Sequence, residues 1–137
     1  MIAEAIVCMA LNVYHEARNE STVGQIAVAQ VVMNRVGDDR FPDTPCEVIY
    51  DGPVSKNGWP IKDRCQFSWY CDGLRDEPRN KRAYQQAYEV AKTVLEGHYY
   101  GVLDGATHYH ADYVNPRWAK LHTRIVKIDT HIFYRWD

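Results

Sequence analysis

The sequence predicts an α+β domain that is mainly helical, with a small C-terminal β element. Segments 2–18, 23–36 and 79–96 repeat apolar residues at the three-to-four-residue spacing of helices. Residues 125–134, IVKIDTHIFY, leave that period and are rich in β-branched and aromatic side chains. The 137 residues suit one compact domain, with no repeat, linker or low-complexity tract inside it.

Taken in order, residues 2–18 read as an amphipathic helix with a stripe of Ile2, Ile6, Met9, Ala10, Val13 and Ala17. Glu16 falls at the edge of that stripe, in the last turn, while Glu4 and His15 fall on the opposite face. Residues 19–22 break the helix, and Thr22 with Gln25 matches a capping box. The helix over 23–36 is apolar on nearly all sides, which predicts a central, buried element ended by Gly37. Residues 37–62 are rich in Pro and Gly and read as loop. One short helix is expected inside, with Thr44 as N-cap, Pro45 at the first position and Glu47 closing a capping box. CQFSWYCDG, 65–73, is aromatic and bounded by turns. The helix over 79–96 carries Tyr84, Ala87, Tyr88, Ala91, Val94 and Leu95 as its stripe and stops at Gly97. GATHYHADYVNPRWA, 105–119, reads as a loop, and 125–134 as extended structure.

Composition narrows function. The 46% hydrophobic content supports a true core, and 16 basic against 18 acidic residues give a formal charge of −2. That balance argues against nucleic acid as the main partner, although Arg75–Arg82 forms a local basic stretch. Ten Tyr, four Trp and three Phe serve mostly as core; the remainder suit sugar or peptide contacts. No secretory leader or membrane-spanning segment is read, so the expectation is a soluble protein made in the cytoplasm, without membrane insertion.

Cys8 lies in an apolar helical pattern and is expected to be a buried free thiol. Cys46, Cys65 and Cys71 match no usual zinc spacing. A disulfide among those three stays open for a protein that works outside the reducing cytoplasm. His108 and His110 form an H-x-H pair that could hold zinc with a third ligand, a weak signal. No Gly-rich phosphate loop and no G-x-S-x-G elbow occurs. No cofactor or metal is expected.

Glu16 is the chemical candidate. Burial disfavours a carboxylate, and the negative end of a helix dipole adds to the effect. Such a carboxyl stays protonated near neutrality and can donate to a leaving oxygen, as glycoside cleavage requires. The plainer alternative is a solvated glutamate, or one paired with Arg18. Glu20, in the turn beyond, is either a supporting carboxylate or a helix-entry charge beside the second helix.

The ordered motifs YHEARNE followed by GQIAVAQVVMNRV, then CQFSWYCDG, GATHYHADYVNPRWA and DTHIFYR, resemble the SleB/CwlJ-type cell wall hydrolases, the spore-cortex-lytic enzyme family. The similarity covers about residues 5–135; Asn19 stands where that family usually has Gly. The resemblance implies a lysozyme-like single catalytic domain over 1–137, acting on peptidoglycan glycan strands. It makes Glu16 the catalytic acid and points to a lytic transglycosylase. With no leader or wall-binding module read, the expected setting is a phage endolysin, the alternative being a bacterial hydrolase domain shown without its leader. The chain is expected to be a monomer, made in the host cytoplasm and acting on the cell wall. The alternatives are a muramidase using Glu16 with Glu20, a zinc-dependent amidase or peptidase built on His108, His110 and His131, and a glycan-binding protein without activity. Gln66, Ser68, Trp69, His108, Tyr109, Trp118 and His131 are expected to contact substrate or support Glu16.

Overall fold

Helix α1, Ile2–Ala17, lies at the centre of a helical layer formed with α2 (Thr22–Val36), α3 (Pro45–Ile49) and α4 (Lys81–Leu95). The computed structural model describes the backbone of residues 2–137 and the side chains of residues 4–137. Ile2 of the expected stripe therefore has its side chain outside the described residues. The remainder of α1 is buried more widely than one stripe requires: Cys8, Met9, Ala10, Asn12, Val13, Tyr14 and Ala17 are all inside. Small residues make this close packing possible, with Ala29 from α2 and Ala87 and Ala91 from α4 fully buried in the same cluster.

The local signals at the helix ends hold in part. Thr44 caps α3 as expected, its Oγ1 accepting from the Glu47 amide, but Glu47 Oε1 accepts from the Thr44 hydroxyl rather than from its backbone amide, so the capping box is not completed. The N-cap of α2 is Ser21, whose hydroxyl accepts from the Gly24 amide, rather than Thr22. Asn80 caps α4, and Gly97 follows that helix at φ +95°.

The C-terminal region departs from expectation. A three-stranded antiparallel sheet forms, in the order β1 (Ala106–Ala111), β3 (His131–Arg135), β2 (Thr123–Ile128). The stretch 105–119, expected as loop, contains β1 and a short 3-10 turn at Arg117–Leu121. The single extended run 125–134 is a hairpin turning at Asp129 and Thr130, with Asp129 at φ +52°. Asp tolerates this left-handed backbone better than most residues, which lets the turn form without glycine.

Polar residues of the buried α2 fasten the sheet to the helices. Gln30 exchanges two hydrogen bonds with the Tyr100 backbone, of 3.0 and 2.8 Å. Asn34 Nδ2 donates to the carbonyls of Leu103 and Ala106. Arg35 Nε donates to the Thr107 carbonyl at 2.8 Å. Phe133, fully buried, packs the inner face of the sheet against Ala17, Ala27, Val28 and Val31.

The hairpin turn is clasped to the α1–α2 junction. Asp129 Oδ2 accepts from the Ser21 amide (2.9 Å) and the Ser21 hydroxyl (2.6 Å). Glu20 Oε1 accepts from the Thr130 hydroxyl and amide. A Cβ on Gly24 would lie 2.5 Å from Asp129 Oδ2 and 3.0 Å from Glu20 Cβ, so this close approach requires glycine.

The cysteine expectation is corrected. Cys8 is not a free thiol: it is bonded to Cys46, and Cys65 is bonded to Cys71. Cys8 on α1 and Cys46 on α3 are brought to a Cα separation of 5.4 Å, within disulfide reach, by the packing of those helices. That long-range approach has no signature in cysteine spacing.

Two stability results follow. Reduction should lower stability by about 2–4 kcal/mol on loop-closure grounds, roughly 10 °C in Tm for a domain of this size, read by thermal denaturation with and without reductant. Gly24→Ala should destabilise by about 1–3 kcal/mol through overpacking, measured by denaturant titration. A neutral or stabilising result, usual for Gly→Ala within a helix, would contradict the clasp.

Candidate active site

The last turn of α1 opens on a cleft of about 830 Å³. Tyr14, His15, Glu16 and Arg18 form one wall, and Ser68 and Trp69 a second. The loop from Asp72 to Asn80 closes the remaining side. Ser68 and Trp69 sit in a short 3-10 turn, Ser68–Cys71, whose last residue is tied back to Cys65. The Trp69 ring is largely buried: its Nε1 donates to Asn12 Oδ1 at 2.8 Å, and it stacks on His15 with centroids 4.6 Å apart. His15 Nε2 pairs in turn with the Asp76 carbonyl at 2.7 Å. Thus His15, expected on the solvent face of α1, is half-buried and joins the helix to the loop.

Glu16 is half-buried at the inner end of this cleft. The Tyr109 hydroxyl donates to Glu16 Oε1 at 2.5 Å. Burial pushes the Glu16 carboxyl above the usual carboxylate range; the Tyr109 hydrogen bond and the positive charge of Arg35 oppose it without cancelling it. Tyr109 itself is pushed well above the ordinary phenol range, first by burial and then by Glu16, so it remains a donor. Arg18 is no partner for Glu16. Its guanidinium lies over the Tyr14 ring, 4.9 Å from the centroid, and donates to the Tyr14 carbonyl.

Arg35 is buried between the rings of Phe41 and Phe67, at 4.9 and 5.3 Å. Desolvation lowers its pKa, while Tyr109, Asp51 and Glu16 act in the opposite direction. Sequence reading passed over Arg35 and the cleft residues His15, Arg75 and Arg79. A lone arginine within a helix apolar on nearly every side was the signal for Arg35. The arginines of loop 72–80 lie outside any periodic element, and only the basic run marked them.

The remaining expected residues fall in four places. Glu20 belongs to the clasp: its side chain is 8% exposed, and its Oε1 lies 3.2 Å from His131 Nδ1 without hydrogen-bond alignment. It is not among the residues lining the cleft. His131, held toward its neutral form by burial, packs its ring 5.0 Å from that of Tyr109 and so backs the Glu16 support. Gln66 is exposed beside the 3-10 turn, its amide donating to the Asp51 carbonyl.

His108 and Trp118 lie elsewhere. Strand alternation turns Tyr109, His131 and Phe133 toward the helices and His108, His110 and Tyr134 outward. The outward set forms an aromatic stack with Trp118, whose ring is 5.2 Å from His108 and 5.6 Å from His110. The three histidines of the zinc alternative are therefore split across the two faces of the sheet. They do not converge on one ion, and no group of three metal-ligating side chains occurs among the described residues.

Comparison with known proteins bears on the family and the fold. A family model described as Cell Wall Hydrolase matches residues 19–134, a span opening just after Glu16. A spore cortex-lytic enzyme of Halalkalibacterium halodurans is 32% identical over 131 residues, 93% of this chain and 34% of that protein. One from Bacillus cereus is 31% identical, again over 93% of this chain and 43% of its own length. The chain thus spans less than half the length of these curated relatives. Among solved structures, the catalytic domain of the germination-specific lytic transglycosylase SleB from Bacillus anthracis superposes with a TM-score of 0.72 at 29% identity. That match covers 96% of this chain and 93% of that domain, and the fold is the lysozyme-like α+β class expected from the sequence.

The raised Glu16 pKa fixes a pH signature. Between the ordinary glutamate range and its folded value, the folded state binds more protons than the unfolded chain. Stability then falls as pH rises through that window. Glu16→Gln removes the penalty, so the variant should melt above wild type at pH 7. The gap should close as the pH falls below the ordinary glutamate range, where Glu16 is protonated in both states. Melting curves across pH check this; a gap that widens on acidification would contradict it.

Proposed function

The chain belongs to the cell wall hydrolase family, and on that premise we propose that it cuts peptidoglycan glycan strands as a lytic transglycosylase. The bond cleaved joins N-acetylmuramic acid to N-acetylglucosamine, and Glu16 is the acid. The observation that carries this reading is the half-buried Glu16 carboxyl, biased toward its protonated form and open to the cleft.

Glu16 gives its proton to the glycosidic oxygen as the C1–O bond breaks, and positive charge develops at C1 of the muramic residue. The C6 hydroxyl oxygen of the same residue then bonds to C1. Its proton passes to Glu16, which regains its starting state. No water is consumed, and the product carries a 1,6-anhydro ring. Tyr109 fixes one Glu16 oxygen throughout. The buried positive charge of Arg35 favours the carboxylate that the second half of the reaction needs.

A muramidase would pair Glu16 with a second carboxylate acting on water. The placement of Glu20 supports the single-acid route instead, since its Oε1 is committed to Thr130 in the clasp and it does not line the cleft. The SleB structural relative, named as a lytic transglycosylase, supports the same outcome. The reading includes bacterial lysis as a phage endolysin. Curated relatives are named for spore cortex, and side-by-side lysis of vegetative sacculi and cortex separates the two settings.

Glu16→Gln should lower lytic activity on purified peptidoglycan by about 10²–10⁴-fold, the usual contribution of a general acid, while the protein stays folded. Mass spectrometry of wild-type digests should show anhydro-muropeptides. Reducing ends in their place would establish the hydrolytic route, and retained activity in the Gln variant would remove Glu16 from the chemistry.

A further inference from the structure

We propose that Arg18, Arg75 and Arg79 form a carboxylate-binding subsite in the cleft, which takes the peptide stem carried by the muramic residue. The inference rests on the glycan-strand reading and adds a specificity to it. The sugars of a peptidoglycan strand are uncharged N-acetyl hexosamines. The charge near the cut bond lies on the lactyl-linked peptide, whose acidic residues and C-terminus are carboxylates.

All three arginines line the same cleft as Glu16. The ion pairs among the described residues use Arg40, Arg135, Lys127, His98 and His131, and none of these three. Arg18 is held in place over Tyr14, and the Tyr14 hydroxyl accepts from the Asn80 amide at the end of the loop carrying Arg75 and Arg79. Two carboxylates share the wall, Asp72 and Glu77. Asp72 already spends one oxygen on the Leu74 amide of its own turn. Three guanidinium groups outside any ion pair among the described residues thus face one cleft. Neutral sugars alone offer them no counter-charge. The planar guanidinium fork matches a carboxylate in two-point geometry.

The test compares two substrates prepared from the same teichoic-acid-free sacculi: untreated strands, and strands whose stem carboxylates have been converted to neutral amides by carbodiimide coupling to ammonia. Wild type should favour the untreated strands in kcat/KM, mainly through KM. Arg75→Ala with Arg79→Ala should reduce that preference by about tenfold or more, the scale of a lost charge-assisted hydrogen bond. Lysine at both positions should restore part of it, and raised salt should erode it in wild type. Cleavage of both substrates by wild type without preference would overturn the subsite while leaving the glycan-strand reading intact. Equal loss on both substrates in the double variant would also overturn it. Failure of wild type to cut either substrate would overturn both readings.

Discussion

The clasp between the β2–β3 turn and the α1–α2 junction is the constraint on which the site depends. Helix α1 brings a carboxyl to its last turn, but a helix end alone leaves that carboxyl in water. Asp129 and Glu20 draw the hairpin over the junction through Ser21 and Thr130. The inner face of the sheet then lands on Ala17, and Tyr109 arrives at Glu16. Gly24 is the geometric cost of this approach, since any side chain there would occupy the space of the Asp129 carboxylate. The two glutamates of YHEARNE are thus complementary: one is turned to the cleft, and the other holds the wall that buries it.

Burial and hydrogen bonding act on Glu16 in opposite senses. Desolvation favours the protonated acid, while Tyr109 and Arg35 favour the carboxylate. On the proposed route Glu16 first gives and then takes a proton, and such a balance serves it, because neither form is stabilised beyond reach of the other. Tyr109 is kept in register by Phe133 beneath it and His131 beside it. The support therefore extends through one face of the sheet.

Much of the helical layer was legible in the sequence because apolar period and cap chemistry act locally. The α3 N-cap at Thr44 needs only the next few residues to be read and forms as expected. The half-buried position of Glu16 was legible for the same reason, since it stands at the margin of an apolar stripe. The sheet was less so. β1 reads ATHYHA, and its outward positions carry histidines whose partners, Trp118 and Tyr134, are distant in sequence. Its neighbouring hairpin turns on Asp129–Thr130, which lacks the glycine that usually marks such a turn. The Cys8–Cys46 bond and the place of Glu20 both depend on tertiary approach, which no local pattern encodes. The resemblance to cell wall hydrolases supplied the link between Glu16 and glycan chemistry that periodicity alone could not.

Strand β1 also divides two opposite proton preferences. Behind it, burial beside Arg35 and His122 lowers the His108 pKa to about 4, so the stack of His108 and Trp118 resists charging. Before it, the Glu16 carboxyl retains its proton above the usual range. Acidification through the mildly acid range penalises the fold at His108 and relieves it at Glu16. The two slopes oppose each other across a sheet one strand thick. One thin sheet thus separates two groups whose protonation pulls the stability of the same fold in opposite directions.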